Sequence, residues 1–158
     1  MAPDRSDPQA PRELVALHCE ATSFDPATAA PRVVAAIPLH GNRVLTSRAL
    51  VVALGTGPAA AEGVEQLRAL IGDRPLVGYF LDFSAGLVER LLGAPLPGER
   101  IEVSSLFYDR KSRTPSKRAI DLRLDRLIGD LDLPLRPRGD AYGTALVAAL
   151  AYLRLTER

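Results

Sequence analysis

The sequence predicts an α/β domain: a mixed five-stranded sheet, three antiparallel strands first and then alternating helices and strands, flanked by helices. Three observations carry that expectation. Apolar, β-rich runs occupy residues 14–20, 32–39 and 43–53, with His40-Gly41-Asn42 as turn chemistry between the last two. From residue 59 onward the apolar positions switch to helical spacing, broken by two short apolar runs at 75–80 and 101–107. A closing stretch at 140–155 is rich in Ala and Leu nearly all round, so it reads as a buried helix.

Taken in order, residues 1–12 carry Pro3, Pro8 and Pro11 among polar neighbours and read as a disordered lead-in to a single domain over 13–158. Strand one at 14–20 is followed by a loop with Pro26 and Pro31, then by the 32–39 and 43–53 hairpin beside it. The run Leu54-Gly55-Thr56-Gly57-Pro58 breaks the pattern. Val64, Leu67, Leu70 and Ile71 line one face of a helix over 59–71, stopped by Gly72-Asp73. The 75–80 run shows no alternation, which fits a strand buried on both faces. Asp82 reads as the N-cap of a helix over 83–92, with Gly93 as its stop. A turn at 95–99 leads to a fifth strand over 101–107 with a helical turn at its end, then a basic loop over 108–118. Ile120, Leu124, Leu127, Ile128 and Leu131 define an amphipathic helix over 119–131, and 134–139 is a linker to the last helix.

Composition excludes several classes. A hydrophobic fraction of 47% with 25% charged residues is that of an ordinary globular chain. A net charge of +1 provides no global attraction for nucleic acid, so only local charge can speak. No apolar run approaches the roughly 18 residues that span a bilayer, and the N-terminus lacks the apolar core of a signal peptide, so the expected setting is cytoplasmic with no membrane partner. Cys19 is the sole cysteine, which leaves no intrachain disulfide and no thiolate metal cage; its place in strand one reads as an inert core thiol. The basic residues are almost all Arg, and Ala and Pro are abundant, a composition expected of a GC-rich bacterial genome.

Strand one ends in a polar cluster. Side chains alternate along a strand, so His18, Glu20 and Thr22 share one face while Cys19 and Ala21 share the other. A carboxylate at the mouth of a core strand is unfavourable unless something uses it. Three local patterns follow from there: His18-Cys19-Glu20-Ala21-Thr22-Ser23, Val77-Gly78-Tyr79-Phe80-Leu81-Asp82-Phe83-Ser84, and Gly139-Asp140-Ala141-Tyr142-Gly143-Thr144-Ala145.

In this order the patterns resemble the motifs of the DEDD-type 3′–5′ exonucleases, which have a ribonuclease H-like fold and include bacterial proofreading subunits. The resemblance runs over residues 13–155. It implies a site where four carboxylates hold two metal ions and a His acts as general base. In this chain the five equivalent positions are His18, Glu20, Ser84, Thr144 and Gly139, and Glu20 alone keeps its carboxylate. Two Mg²⁺ ions bring four positive charges and prefer oxygen anions, so the resemblance implies a degenerate site, with no metal or other cofactor expected. His18 is expected to pair with Glu20 and neutralise it in place.

Alternatives stay open. Asp82 and Asp140 read as helix caps, but with Glu20 and His18 they also define a rewired site that would take Mg²⁺ or Mn²⁺ and make the chain an active exonuclease. Within the 108–118 loop, residues 110–118 carry Arg110, Lys111, Arg113, Lys117 and Arg118 with no acid, either solvated or phosphate-binding. Tyr79 and Phe80 are either core aromatics or a base-stacking pair. The leading expectation is a catalytically inactive binding or adaptor module for single-stranded nucleic acid or nucleotide; a protein-binding paralogue of an active exonuclease is the third alternative.

Overall fold

The computed structural model describes residues 12–113, 119–135 and 139–157. One mixed sheet contains β1 (Glu13–Ala21), β2 (Pro31–His40), β3 (Arg43–Val44), β4 (Leu50–Ala53), β5 (Leu76–Gly78) and β6 (Arg100–Glu102). Its spatial order is β3-β2-β1-β5-β6, and β4 also pairs with β2. β2 runs antiparallel to β1, β3 and β4, whereas β5 and β6 run parallel to β1. The helices are α1 (Pro58–Ile71), α2 (Leu81–Leu92), α3 (Val103–Ser112), α4 (Leu124–Asp130) and α5 (Ala141–Leu155). The α/β architecture expected from the sequence is the one observed.

Alternation along β1 divides the interior into two cores. Leu14 and Ala16 join Ala35, Ile37, Phe107, Leu127 and Ala148 on one face of the sheet. Val15, Leu17 and Cys19 join Val34, Ala36, Leu67, Leu81 and Val88 on the other. His18 and Glu20 therefore continue the face covered by α3, α4 and α5.

The expected third strand at 43–53 is broken in two by a 3-10 turn over Thr46–Arg48. Pro38 is the reason. Leu45 N donates to Pro38 O at 2.9 Å, but proline has no N–H to return the second bond of that pair, so the ladder lapses and resumes as β4. This break accounts for six strands where the sequence predicts five.

Three further boundaries differ from expectation. The fifth strand stops at Glu102, because its carboxylate accepts from Ser104 N (3.1 Å) and caps α3; residues 103–112 are helical, including most of the expected 108–118 loop that is described. The expected helix over 119–131 shrinks to α4. The Asp121 carboxylate accepts from Arg123 N at 3.0 Å and holds a turn there, while Ile120 and Leu122 pack half-buried against the core. The α2 helix begins at Leu81, two residues before the expected start, and Phe80 precedes it in a left-handed conformation (φ 52°, ψ 48°). Residues 1–11 of the expected lead-in lie outside the described residues. Arg12 is described: it pairs with Glu99 at 3.0 Å, and its carbonyl accepts from Gly41 N.

Candidate site at the end of the first strand

β1, β5 and β6 run parallel, so their carboxyl ends open on one edge of the sheet, the edge where open α/β sheets place their crevices. The close fit of α2 under this edge depends on Gly78. A Cβ there would sit 2.9 Å from Leu17 O and 2.8 Å from Leu81 Cδ1. Beyond Gly78 the chain leaves β1, and a side chain takes over: Cys19 N donates to Ser84 Oγ at 3.0 Å. Ser84 is wholly buried in the first helical turns of α2. The hydroxyl thus satisfies a strand N–H that has no neighbouring strand to meet.

His18 lies beside it on the α5 side. Its Nδ1 is buried without a hydrogen-bond partner. Burial lowers the imidazole pKa, opposed by the Glu20 charge and by the Tyr79 backbone, so the ring is held toward neutrality. The expected His18–Glu20 pair does not form as a contact: among the described residues the Glu20 carboxylate makes no hydrogen bond or ion pair and acts on His18 through its field alone. The geometric reason is that successive residues on one strand face stand side by side, projecting in the same direction rather than toward each other. Cys19 behaves as expected, buried on the opposite face with a thiol pushed up to about 11 by burial.

Tyr79 is not a free stacking platform. Its hydroxyl donates to Leu122 O at 2.7 Å, tying β5 to the segment before α4, and its ring lies 4.5 Å from that of Phe80. Burial and the acids Glu102, Asp121 and Asp125 raise its pKa. Phe80 is exposed, and so is Phe24, whose ring is 6.1 Å from Phe83.

Asp82 does not cap α2. Its side chain is 89% exposed and pairs with Arg100 at 3.2 Å, and Arg100 also reaches Glu89 at 2.8 Å. The cap is supplied from another element: the Glu102 carboxylate accepts from Phe80 N (3.2 Å) and Leu81 N (2.8 Å). One side chain therefore holds the amino ends of α2 and α3 together at the site's edge. Sequence reasoning missed Glu102; the Glu102-Val103-Ser104 spacing is a local cap signal, but its second role is a long-range contact. Asp140 does cap α5, accepting from Gly143 N at 2.7 Å. Gly139 precedes it with φ 71°, a conformation that favours glycine, and Thr144 is buried one turn into the helix.

Among the described residues no three His, Cys, Asp or Glu side chains gather closely enough to hold a metal ion. The combination of Glu20, Asp82, Asp140 and His18 is thus not assembled.

The basic cluster is also placed differently from expectation. Arg110 donates to the carbonyls of Arg154 (3.3 Å) and Leu155 (3.1 Å), and Lys111 pairs with Asp130 at 2.9 Å. Both residues belong to the last turn of α3, and Arg113 caps it. Because Arg110 holds the carboxyl end of α5 while Thr144 lies at its amino end, a helical rise of about 1.5 Å per residue puts roughly 15 Å between them. Lys117 and Arg118 lie outside the described residues.

A mixed sheet in this strand order, with helices on both faces, matches the ribonuclease H-like exonuclease fold. Solved structures that share it include those of exonuclease I. Escherichia coli exonuclease I in complex with a dT13 oligonucleotide matches with a TM-score of 0.72 at 12% identity, over 93% of this chain and 41% of that one. The zinc-bound E. coli exonuclease I–ssDNA complex matches at 0.69 and 14% identity, over 91% and 40%. An exonuclease I complex with SSB-Ct matches at 0.64 and 15% identity, over 90% and 41%. The chain spans less than half the length of these proteins. No family model and no curated protein sequence matches it.

Proposed function

We propose that this domain is a non-catalytic member of the exonuclease fold that binds single-stranded nucleic acid or nucleotide. The observation that carries the reading is the bond from Cys19 N to buried Ser84 Oγ: the position equivalent to a metal-holding carboxylate serves as a backbone brace. The surrounding donor set supports it. Glu20 is the only carboxylate at the five equivalent positions, His18 offers a neutral imidazole, and Gly139 has no side chain, a set that does not fit two Mg²⁺ ions. The likeness to exonuclease I bound to dT13 supports the ligand class, as do the exposed rings of Phe24 and Phe80, which follow the carboxyl ends of β1 and β5.

The test pairs two measurements on the full chain. Incubation with 3′-labelled single strands and Mg²⁺ or Mn²⁺ is expected to release no nucleotide. Fluorescence anisotropy with the same strands is expected to show binding that weakens as salt rises. Turnover that disappears in Glu20→Ala overturns the non-catalytic reading, and absence of affinity at low salt overturns the ligand class.

A further inference from the structure

The two outer edges of the sheet are finished differently. β6 is three residues long, and its Arg100 and Glu102 are both engaged with α2, the short charged edge that resists further pairing. β4 has no such protection. No charged residue occurs between Arg48 and Glu62, and Val51 is 51% exposed with Ala53 exposed beside it.

Hydrogen-bond alternation decides what this edge presents. Leu54 N donates to Arg32 O at 2.8 Å, and the pairs Val34↔Val52 and Ala36↔Leu50 continue that series. Leu50, Val52 and Leu54 therefore direct their backbone groups toward β2. Val51 and Ala53 direct theirs outward, and no strand among the described residues lies on that side. Exposed Gly55, Pro58 and Ala59 extend the uncharged strip into the start of α1.

We propose that β4 pairs with β4 of a second copy, antiparallel about a two-fold axis, joining the two sheets into one. A partner for this edge must be uncharged, β-forming and able to present its own outward N–H and C=O groups two residues apart. The same strand of another copy meets all three requirements. With Val52 on the axis, Val51 of one copy faces Ala53 of the other, so the outward N–H and C=O groups meet each other, and Arg48 faces Thr56, so no like charges meet across the pair. The surface is then self-complementary, as a two-fold interface requires. This contact stands apart from the carboxyl end of β1 and does not depend on a ligand there.

Sedimentation of the full chain through a dilution series, with amide hydrogen exchange, tests it. Wild type is expected to sediment at twice the monomer mass, with Val51 and Ala53 amides exchanging more slowly as concentration rises. Val51→Lys and Val51→Pro are expected to sediment as monomers that keep the wild-type circular dichroism spectrum; the proline removes an N–H that faces outward, so the β2 ladder keeps its bonds. A monomeric wild type with fast exchange at Val51 overturns the proposal, as does a dimer that survives Val51→Lys. Exchange on wild type decides the matter even where a variant fails to fold.

Discussion

Replacing Ser84 by Ala removes one oxygen and leaves the Cys19 N–H buried with nothing to accept it. Ser84 is 0% exposed, so water cannot enter in its place without opening the joint between β1 and α2. Alanine is close to serine in volume, and the effect is therefore the unsatisfied donor rather than a cavity. An orphaned buried donor costs about 1–3 kcal/mol. For a chain of this size that corresponds to a fall in melting temperature of roughly 3–9 °C. Urea unfolding followed by circular dichroism is expected to show a lower midpoint with an unchanged m-value, and exchange of the Cys19 amide is expected to accelerate. A stability change within about 0.5 kcal/mol, the usual range for surface substitutions, would refute the claim that this hydroxyl braces the strand.

Two other outcomes follow from the same edge. Gly78→Ala drives a methyl against the Leu17 carbonyl, a backbone atom that cannot swing away, and is expected to destabilise by about 1–3 kcal/mol in the same urea assay; a neutral result would contradict the close approach. His18 supplies a pH signature. Its folded pKa lies below the ordinary 6.5, so below that pH the unfolded chain binds more protons and stability declines as pH falls toward the folded value. The difference in unfolding free energy between wild type and His18→Gln is expected to change by at most about 1.4 kcal/mol per pH unit in that window and to be flat above it. A difference that stays flat below pH 6.5 sinks the assignment of a buried neutral ring.

Much of the architecture was legible because it rests on periodicity. The apolar run of β1, the helical spacing of α1 and the all-round apolar character of α5 each encode their own burial, and their observed bounds lie close to the expected ones. Boundaries governed by a single distant group were not legible. Nothing local announces that Pro38 ends the ladder opposite Leu45. The Asp121 turn is a contact over two residues, but the helical spacing of the apolar positions over 120–131 masked it. At the candidate site, residue types were readable and partners were not. The sequence identified Asp140 as a cap correctly, because a cap is a contact over three residues, and misassigned Asp82 for the same role, because Glu102 reaches that helix from another strand.

The sequence by itself determined the α/β class, the order of its main elements and the residue types present at the end of β1, since these depend on chemistry carried within a few positions. Only the tertiary structure decided what those residues do. It turned Ser84 toward a strand amide, left His18 Nδ1 without a partner, held Asp82 in solvent and fastened Arg110 and Lys111 to other helices. The physical reason is that a polar side chain's role is set by the nearest group able to bond with it, and in a folded chain that group comes from anywhere in the sequence.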